Sequence, residues 1–276
     1  MTGGFEAARA LAADADHQLA AELAEHSAAL LRALRADGPD DPDTLRREGD
    51  RRSHELLVAE LAARRPRDAV LSEEGKEETA PARLEQRRVW IVDPLDGTRE
   101  FGERGRPDWA VHVALVIDGF PVAGAVALPA LGEVWSTATV GRATVPPRLP
   151  PAGAPPRLAV SRTRPGWSAD LVTRALSAEL VPLGSAGFKA LAVVRGVADI
   201  YAHSGGQYEW DSAAPVAVAL AHGLHASRLD GTPLVYNNAK PYLPDLLIAH
   251  PDWARPALHA VAGGDPSAGD RPAQGT

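Results

Sequence analysis

The sequence predicts an α+β protein in which helices and strands form layers and the chain divides into two sub-domains. Apolar side chains recur at helical spacing through the first 65 residues, and residues 69–137 contain short β-rich runs separated by tight turns. Residues 157–249 alternate between strand and helix patterns, which is typical of layered α/β structure. At 276 residues, the chain is long enough to bury the core that such layers need.

The N-terminal region is predicted to form two helices. Leucines recur at helical spacing between Phe5 and Arg35, which indicates one amphipathic helix over this range. Two proline-containing dipeptides within residues 38–42 should end that helix. A second helix is predicted from Asp50 to Arg65, with apolar residues between Leu56 and Leu61 on its inner side, and Pro66 should end it.

The middle region is predicted to form short strands, two of them joined in a hairpin. The turn Asp118-Gly119 lies between two β-rich runs, and this dipeptide is typical of hairpin turns. The predicted strands are Ala69–Ser72, Val89–Val92, Trp109–Ile117, Val122–Leu128 and Glu133–Thr137.

The C-terminal region is predicted to alternate strands and helices. The predicted strands are Leu158–Ser161, Ala198–Ala202 and Leu246–Ala249, and the predicted helices are Ser168–Ala178, Phe188–Val194 and Ser212–His222. We therefore expect an N-terminal sub-domain over residues 1–140, a proline-rich exposed linker over 141–156 and a C-terminal sub-domain over 157–262. Residues 263–276 have the composition of a disordered tail.

Composition excludes several classes of function. The chain has no cysteine, which excludes a disulfide scaffold, a thiolate nucleophile and a thiolate-bound metal. Its 36 acidic residues outnumber 29 basic ones, so a nucleic acid polymer is not an expected partner. No membrane-length apolar stretch and no signal-peptide core are found, so a cytoplasmic protein without a membrane partner is expected. Sequence motifs of P-loop NTPases, dinucleotide-binding enzymes and serine hydrolases are not found either.

The segment from Val89 to Thr98 indicates a metal site. An apolar strand ends at Asp93, and a turn containing proline and glycine places Asp96 three residues later. Two carboxylates and the Leu95 carbonyl can therefore converge, and such oxygen donors suit a hard divalent cation. The backbone amides after Asp96 could bind a phosphate if a helix starts there. A plain Asp-Pro-x-Asp-Gly turn, which is common in proteins, remains the alternative interpretation.

Other acidic residues support a metal site but have simpler explanations in isolation. Glu73 and Glu74 follow a predicted strand, although adjacent glutamates are often solvated. Asp211 and Asp50 each stand where a predicted helix begins, so either could be an N-cap residue.

Together, these motifs resemble the inositol-monophosphatase superfamily of magnesium-dependent, lithium-sensitive phosphatases. The Glu73-Glu74 pair, the Asp93–Thr98 turn and the Trp210-Asp211 dipeptide occur in the order typical of that family. The resemblance covers nearly the whole chain and implies a layered αβαβα sugar-phosphatase fold with two sub-domains.

Within the superfamily, the chain is most similar to 3′(2′),5′-bisphosphate nucleotidases of the CysQ type. The segments that carry this similarity are Leu71–Glu74, Asp93–Phe101, Val160–Arg162, Gly184–Lys189, Trp210–Pro215 and Gly231–Asn237. Inositol phosphatases have a glutamate seven residues before the Trp-Asp aspartate, whereas this chain has Ser204 there.

The resemblance implies the following metal ligands, for two or three Mg²⁺ ions: Glu73, Asp93, the Leu95 carbonyl, Asp96 and Asp211. It also implies that a water molecule attacks the phosphate while Asp50 and Thr98 take its proton, with Glu73 as a further catalytic residue. The implied substrate-binding residues are Leu95, Asp96, Gly97, Thr98, Ser161, Ser185, Lys189 and Asp211.

The expected activity is hydrolysis of the 3′-phosphate of adenosine 3′,5′-bisphosphate to AMP, with the 5′-phosphosulfate analogue as a further substrate. A broader sugar phosphatase, acting on inositol 1-phosphate, fructose 1,6-bisphosphate or histidinol phosphate, is the main alternative. A non-catalytic regulator that binds metal or nucleotide is a second alternative. A homodimer is common among relatives and is one expected state of assembly.

Overall fold

The computed structural model describes residues 3–75, 80–138 and 153–262. Most of the predicted linker and all of the predicted disordered tail, residues 263–276, lie outside the described residues. We call residues 3–138 the N-terminal half and residues 153–262 the C-terminal half. Each half contributes one five-stranded sheet.

The N-terminal sheet has its strands in sequence order. The first two strands are parallel, and the other neighbours are antiparallel. The strands are β1 Ala69–Ser72, β2 Arg88–Asp96, β3 Ala110–Ile117, β4 Phe120–Leu128 and β5 Glu133–Ser136. Asp118 and Gly119 both have positive φ, which confirms the predicted hairpin turn.

The C-terminal sheet has the strand order β7-β6-β8-β10-β9. Strand β6 runs parallel to both of its neighbours, β7 and β8, while β10 is antiparallel to β8 and β9. The strands are β6 Arg157–Ser161, β7 Glu179–Leu183, β8 Ile200–Tyr208, β9 His225–Ser227 and β10 Tyr242–Ala249.

Helices cover both sheets and separate them, which confirms the layered αβαβα fold. The helices are α1 Gly3–Arg9, α2 Asp14–Asp37, α3 Pro42–Arg64, α4 Ala80–Leu84, α5 Thr98–Gly102, α6 Trp167–Leu176, α7 Ala186–Val194, α8 Ala213–Ala221 and α9 Pro251–Val261. The outer layers are α2 with α3 and α6 with α9, and the central layer is α7 with α8. Both faces of the N-terminal sheet are therefore buried, which explains why every residue of β3 is buried and all but His112 are apolar.

The predicted single helix over residues 5–35 is wrong, because the structure contains two helices separated near Ala13. The Asp16 carboxylate accepts a hydrogen bond from the Ala13 amide and also pairs with Arg65 and Arg88. These contacts stabilise the start of α2, although the local pattern of apolar residues shows no interruption at that position.

The predicted start of the second helix at Asp50 is also wrong. Helix α3 begins at Pro42, and the Asp41 side chain accepts a hydrogen bond from the Thr44 amide. The Asp41-Pro42 pair, expected from the sequence to end the first helix, therefore supplies the N-cap and the first residue of α3. Asp50 lies two turns inside α3 and is not a cap.

In the C-terminal half, strand β8 extends to Tyr208, six residues beyond the predicted end at Ala202. Strands β7 and β9 and helix α9 are additional elements that the sequence patterns did not indicate. Among the described residues, no helix is long and apolar enough to cross a membrane.

Candidate active site

The first part of the site is the irregular end of strand β2. Pro94 removes a backbone donor, and the pairing with β3 shifts register between Asp93 and Asp96. The Leu95 amide donates to Asp93 Oδ1 at 3.0 Å, so the turn is stabilised by one of its own carboxylates. Both aspartates are buried, so the turn places two carboxylates in the interior and is more than a plain turn.

Gly97 connects this turn to the short helix α5, which begins at Thr98. The residue has φ of +85°, and a Cβ atom there would meet the Ser185 Cβ at 3.0 Å. Both the conformation and the close approach therefore require glycine.

Asp211 comes from the C-terminal half, at the end of a 3₁₀ turn over Glu209–Asp211. Its Oδ2 atom accepts a hydrogen bond of 2.6 Å from the Tyr208 amide. The residue before helix α8 is Ser212, so the interpretation of Asp211 as the N-cap of this helix is wrong.

The two halves together bring three carboxylates to one point. Asp93, Asp96 and Asp211 each place an oxygen atom within 4.8 Å of the others. This all-oxygen donor set has the chemistry that hard divalent cations require. The cluster can therefore hold a divalent cation.

Glu73, the residue that follows β1, lies close enough to Asp93, Asp96 and Asp211 for their charges to interact. Desolvation, followed by repulsion from Asp211, raises the pKa of Glu73 to about 7. Burial and the adjacent Glu73 and Asp96 carboxylates raise the pKa of Asp93 well above its usual range. Burial and Asp96 also raise the pKa of Asp211 to about 6. Carboxylates whose ionised forms disfavour one another in this way fit a site that binds positive charge.

Asp96 is the exception, because neighbouring donors stabilise its charge. Burial alone would raise its pKa, but the His112 imidazole and then the Ser185 hydroxyl lower the pKa of Asp96 to about 2. His112 Nε2 lies 3.1 Å from Asp96 Oδ2, and the Gly187 amide donates to the same oxygen at 2.6 Å. His112 is fully buried, and its Nδ1 lies 3.0 Å from the Trp210 carbonyl oxygen.

The sequence analysis missed His112. The one signal available in the sequence was its place on the apolar run Trp109–Ile117. In the structure, the pairing of β2 with β3 puts His112 directly opposite Asp93. An imidazole on an otherwise apolar strand facing the central helix layer indicates a polar environment there.

Asp50 and Thr98 form the next part of the site. Thr98 Oγ1 lies 3.2 Å from Asp50 Oδ1 and 3.0 Å from the Leu95 carbonyl oxygen, and its single proton can be donated to either. Burial, with repulsion from Glu74, raises the pKa of Asp50 to about 7. A carboxylate with such a pKa is suited to accept a proton near neutral pH.

Ser185 and Lys189 lie at the start of α7, beside Asp96. Ser185 Oγ donates to Asp96 Oδ2 at 2.6 Å, while Lys189 Nζ donates to the Ser185 carbonyl at 2.6 Å. The buried ammonium group also lies 5.5 Å from the centre of the Tyr201 ring. Burial lowers the pKa of Lys189, and the nearby Asp96 carboxylate opposes this shift.

The Ser161 and Ser204 hydroxyls have hydrogen-bond partners away from the carboxylate cluster. In the part of the chain that the structure describes, Ser161 Oγ accepts hydrogen bonds from the amides of Thr163 and Arg164, in its own loop. Ser204 Oγ is buried and accepts from the Ser168 amide of α6.

This fold and this carboxylate site are those of a family of phosphatases. The chain belongs to the inositol monophosphatase family, whose sequence profile it matches over residues 5–260.

Two named groups of relatives are informative. The chain is 51% identical to a Mycobacterium tuberculosis protein named 3′-phosphoadenosine 5′-phosphate phosphatase, over 84% of this chain and 88% of the relative. It is 31% identical to the Escherichia coli 3′(2′),5′-bisphosphate nucleotidase CysQ, over 69% and 79% of the two chains. Among solved structures, CysQ from Bacteroides thetaiotaomicron superposes with a TM-score of 0.72 at 26% identity, covering 86% of this chain and 97% of the other.

Proposed function

We propose that this chain is a magnesium-dependent phosphatase that converts adenosine 3′,5′-bisphosphate to AMP and inorganic phosphate. The observation that carries the proposal is the convergence of Asp93, Asp96 and Asp211 from two halves of the chain. The identity of about half of the residues with mycobacterial phosphatases of that name supports this substrate.

The residues that would hold Mg²⁺ are Glu73, Asp93, the Leu95 carbonyl, Asp96 and Asp211. When bound, the cations would lower the pKa of a coordinated water, neutralise phosphoryl oxygens and stabilise the departing ribose oxygen. Retention of every acidic residue of the set argues against a non-catalytic regulator.

Asp50 and Thr98 would take the proton of the attacking water. Their oxygens are 3.2 Å apart, so the Thr98 hydroxyl can pass a proton to Asp50, which is ready to accept it at neutral pH. The water oxygen then bonds to phosphorus as the bond from phosphorus to the 3′-oxygen breaks. The 3′-oxygen keeps the electron pair and takes a proton from solvent.

Ser185, Lys189 and Ser161 would bind the rest of the nucleotide, and the Gly97 and Thr98 amides would face the reacting phosphate. The Lys189 ammonium is buried beside Asp96 and still carries a donor beyond those given to the Gly184 and Ser185 carbonyls. It can therefore attract a second phosphate. The same arrangement would accept the 5′-phosphosulfate analogue, because the bond that breaks is the same.

Ser204 supports a nucleotide over inositol 1-phosphate. It stands seven residues before Asp211, and its hydroxyl is engaged with α6, so it offers no carboxylate to sugar hydroxyls. A cytoplasmic location, as expected from the sequence, belongs to the same proposal.

A phosphate-release assay tests the proposal. Adenosine 3′,5′-bisphosphate, inositol 1-phosphate, fructose 1,6-bisphosphate and histidinol phosphate are compared at equal concentration, with Mg²⁺ or with EDTA. We expect Mg²⁺-dependent release and at least a ~10-fold preference for the bisphosphate nucleotide, equivalent to about 1.4 kcal/mol of transition-state binding. Equal rates of phosphate release from inositol 1-phosphate and the bisphosphate nucleotide would favour the broader sugar phosphatase over the nucleotidase.

A further inference from the structure

Glu209 is a completely buried carboxylate two residues before Asp211, and it lies outside the metal cluster described above. Its two oxygens accept hydrogen bonds from the Asn237 amide at 2.7 Å, the Asn238 amide at 2.8 Å and the Asn238 Nδ2 atom at 2.7 Å. Burial raises the pKa of Glu209, while these donors and the Arg83 guanidinium oppose the shift. A buried carboxylate with so many partners fixes the position of its own backbone.

Arg83 contacts the same loop from the other half of the chain. This buried arginine belongs to α4, and its guanidinium donates to the Asn237 Oδ1 atom and, at 3.0 Å, to the Asn238 carbonyl oxygen. Helix α4 packs against β1, the strand that directly precedes Glu73. Asn237 adopts a left-handed conformation with φ of 63°. In this conformation its amide faces Glu209 and its side chain faces Arg83.

The metal cluster is divided between the same two halves. Glu73, Asp93 and Asp96 belong to the N-terminal half, whereas Asp211 belongs to the C-terminal half. A site of this kind binds a cation tightly only if both sides are held at the correct separation before binding, within about 0.5 Å. The Arg83–loop–Glu209 connection crosses between the halves close to the place where Asp211 enters the cluster.

We propose that Glu209 and Arg83 are positioning residues which, through the Asn237–Asn238 loop, hold the turn carrying Asp211 against the N-terminal half and so preform the divalent-cation site. This inference rests on the metal site of the proposed function. Neither residue needs to touch the cation or the substrate, and both act through the position of Asp211.

Asp199 provides a matched control at the opposite end of β8. It is also a buried carboxylate, and it also accepts hydrogen bonds from a backbone amide and from an arginine, both of Arg157. Its contacts stay within the C-terminal half. Loss of Asp199 should therefore cost stability without changing the separation of the two halves.

The test measures Mg²⁺ affinity by titration calorimetry, in the absence of nucleotide, for the wild-type chain and for Glu209→Gln, Arg83→Lys and Asp199→Asn. Thermal unfolding of each variant is recorded in parallel. We expect Glu209→Gln and Arg83→Lys to weaken Mg²⁺ binding by about 10-fold, the scale seen when groups that orient metal ligands are removed. We expect Asp199→Asn to lower the unfolding temperature and leave the affinity unchanged. With Mg²⁺ raised to saturation, kcat of the first two variants should return towards that of the wild type.

The inference is overturned if Glu209→Gln and Arg83→Lys bind Mg²⁺ as tightly as the wild type while losing stability as Asp199→Asn does. Arg83→Lys keeps the positive charge and leaves the Glu209 carboxylate in place. It therefore tests the connection through the Asn237–Asn238 loop even if Glu209→Gln does not fold. A wild-type chain that does not bind Mg²⁺ would instead overturn the proposed metal site, and this inference with it.

Discussion

Ser185 Oγ donates a 2.6 Å hydrogen bond to Asp96 Oδ2, and this bond joins the start of α7 to the end of β2. The same hydroxyl oxygen accepts from the Phe188 amide, so it also caps α7. Ser185 has a φ of 46°, which is unfavourable for a residue other than glycine. Because the strained conformation persists, the hydrogen bonds of the hydroxyl must stabilise the fold by more than the strain destabilises it.

Ser185→Ala should therefore lower the free energy of unfolding by about 1 kcal/mol or more, because it removes a helix cap together with the bond to Asp96. Ser185→Gly removes the same hydroxyl but relieves the backbone strain, so it should be less destabilising than the alanine variant. Urea unfolding of the two variants in EDTA measures the difference. Equal stability of the two would show that the backbone strain is absent in solution.

Asp93→Asn should abolish turnover and leave the chain folded. Asparagine keeps the oxygen that accepts from the Leu95 amide and removes a buried carboxyl whose ionisation its neighbours disfavour, so the variant should unfold in EDTA at a temperature no lower than the wild type. Phosphate release and thermal unfolding are the two measurements, with Asp170→Asn on the exposed surface of α6 as the control. Hydrolysis at the wild-type rate by purified Asp93→Asn would refute the assignment of Asp93 as a ligand.

In EDTA, the free energy of unfolding should fall as the pH rises from about 4 to about 7. Glu73, Asp50 and Asp211 have folded-state pKa values of about 7, 7 and 6, above those of the unfolded chain. Their protonated forms stabilise the fold at low pH, and this stabilisation is lost as the pH rises through the folded-state values. His112, whose pKa is raised chiefly by Asp96 against the effect of burial, changes stability in the same direction.

Thermal unfolding across this pH range, with and without Mg²⁺, measures the effect. Mg²⁺ should flatten the dependence, because a bound cation stabilises the ionised carboxylates. A stability that rises with pH in EDTA would contradict the arrangement of charges described here.

Lithium should inhibit phosphate release at millimolar concentrations, as the family resemblance implies. The physical reason is competition of a small hard cation for oxygen ligands arranged for Mg²⁺. Sodium chloride at equal ionic strength is the control, because screening alone would affect both salts equally. Full activity in high lithium would indicate a different arrangement of metals.

Strands with strong local patterns could be predicted closely from the sequence. The predicted bounds of strand β1 match the observed ones, and those of β3 agree to within one residue, because apolar runs bounded by turns determine both strands. The break between α1 and α2 could not be predicted, because the partners of Asp16 that stabilise it, Arg65 and Arg88, lie 49 and 72 residues away. Distant contacts of this kind override local helix propensity.

The candidate site shows the same contrast. Asp93, Asp96 and Asp211 could be selected because each stands in a short motif, and the structure brings them together. His112 and Glu209 stand in no such motif, and their importance follows from partners on other elements, namely Asp96 for His112 and Asn238 for Glu209. Asp50 was selected for its family position, although the predicted helix boundary there was wrong.

The most direct test of the shared carboxylate site is anomalous diffraction from crystals soaked in Mn²⁺, which replaces Mg²⁺ at oxygen sites. We predict anomalous peaks within about 2.5 Å of carboxylate oxygens of Asp93, Asp96 and Asp211. Peaks only elsewhere on the surface, or none in a crystal that diffracts well, would contradict the account.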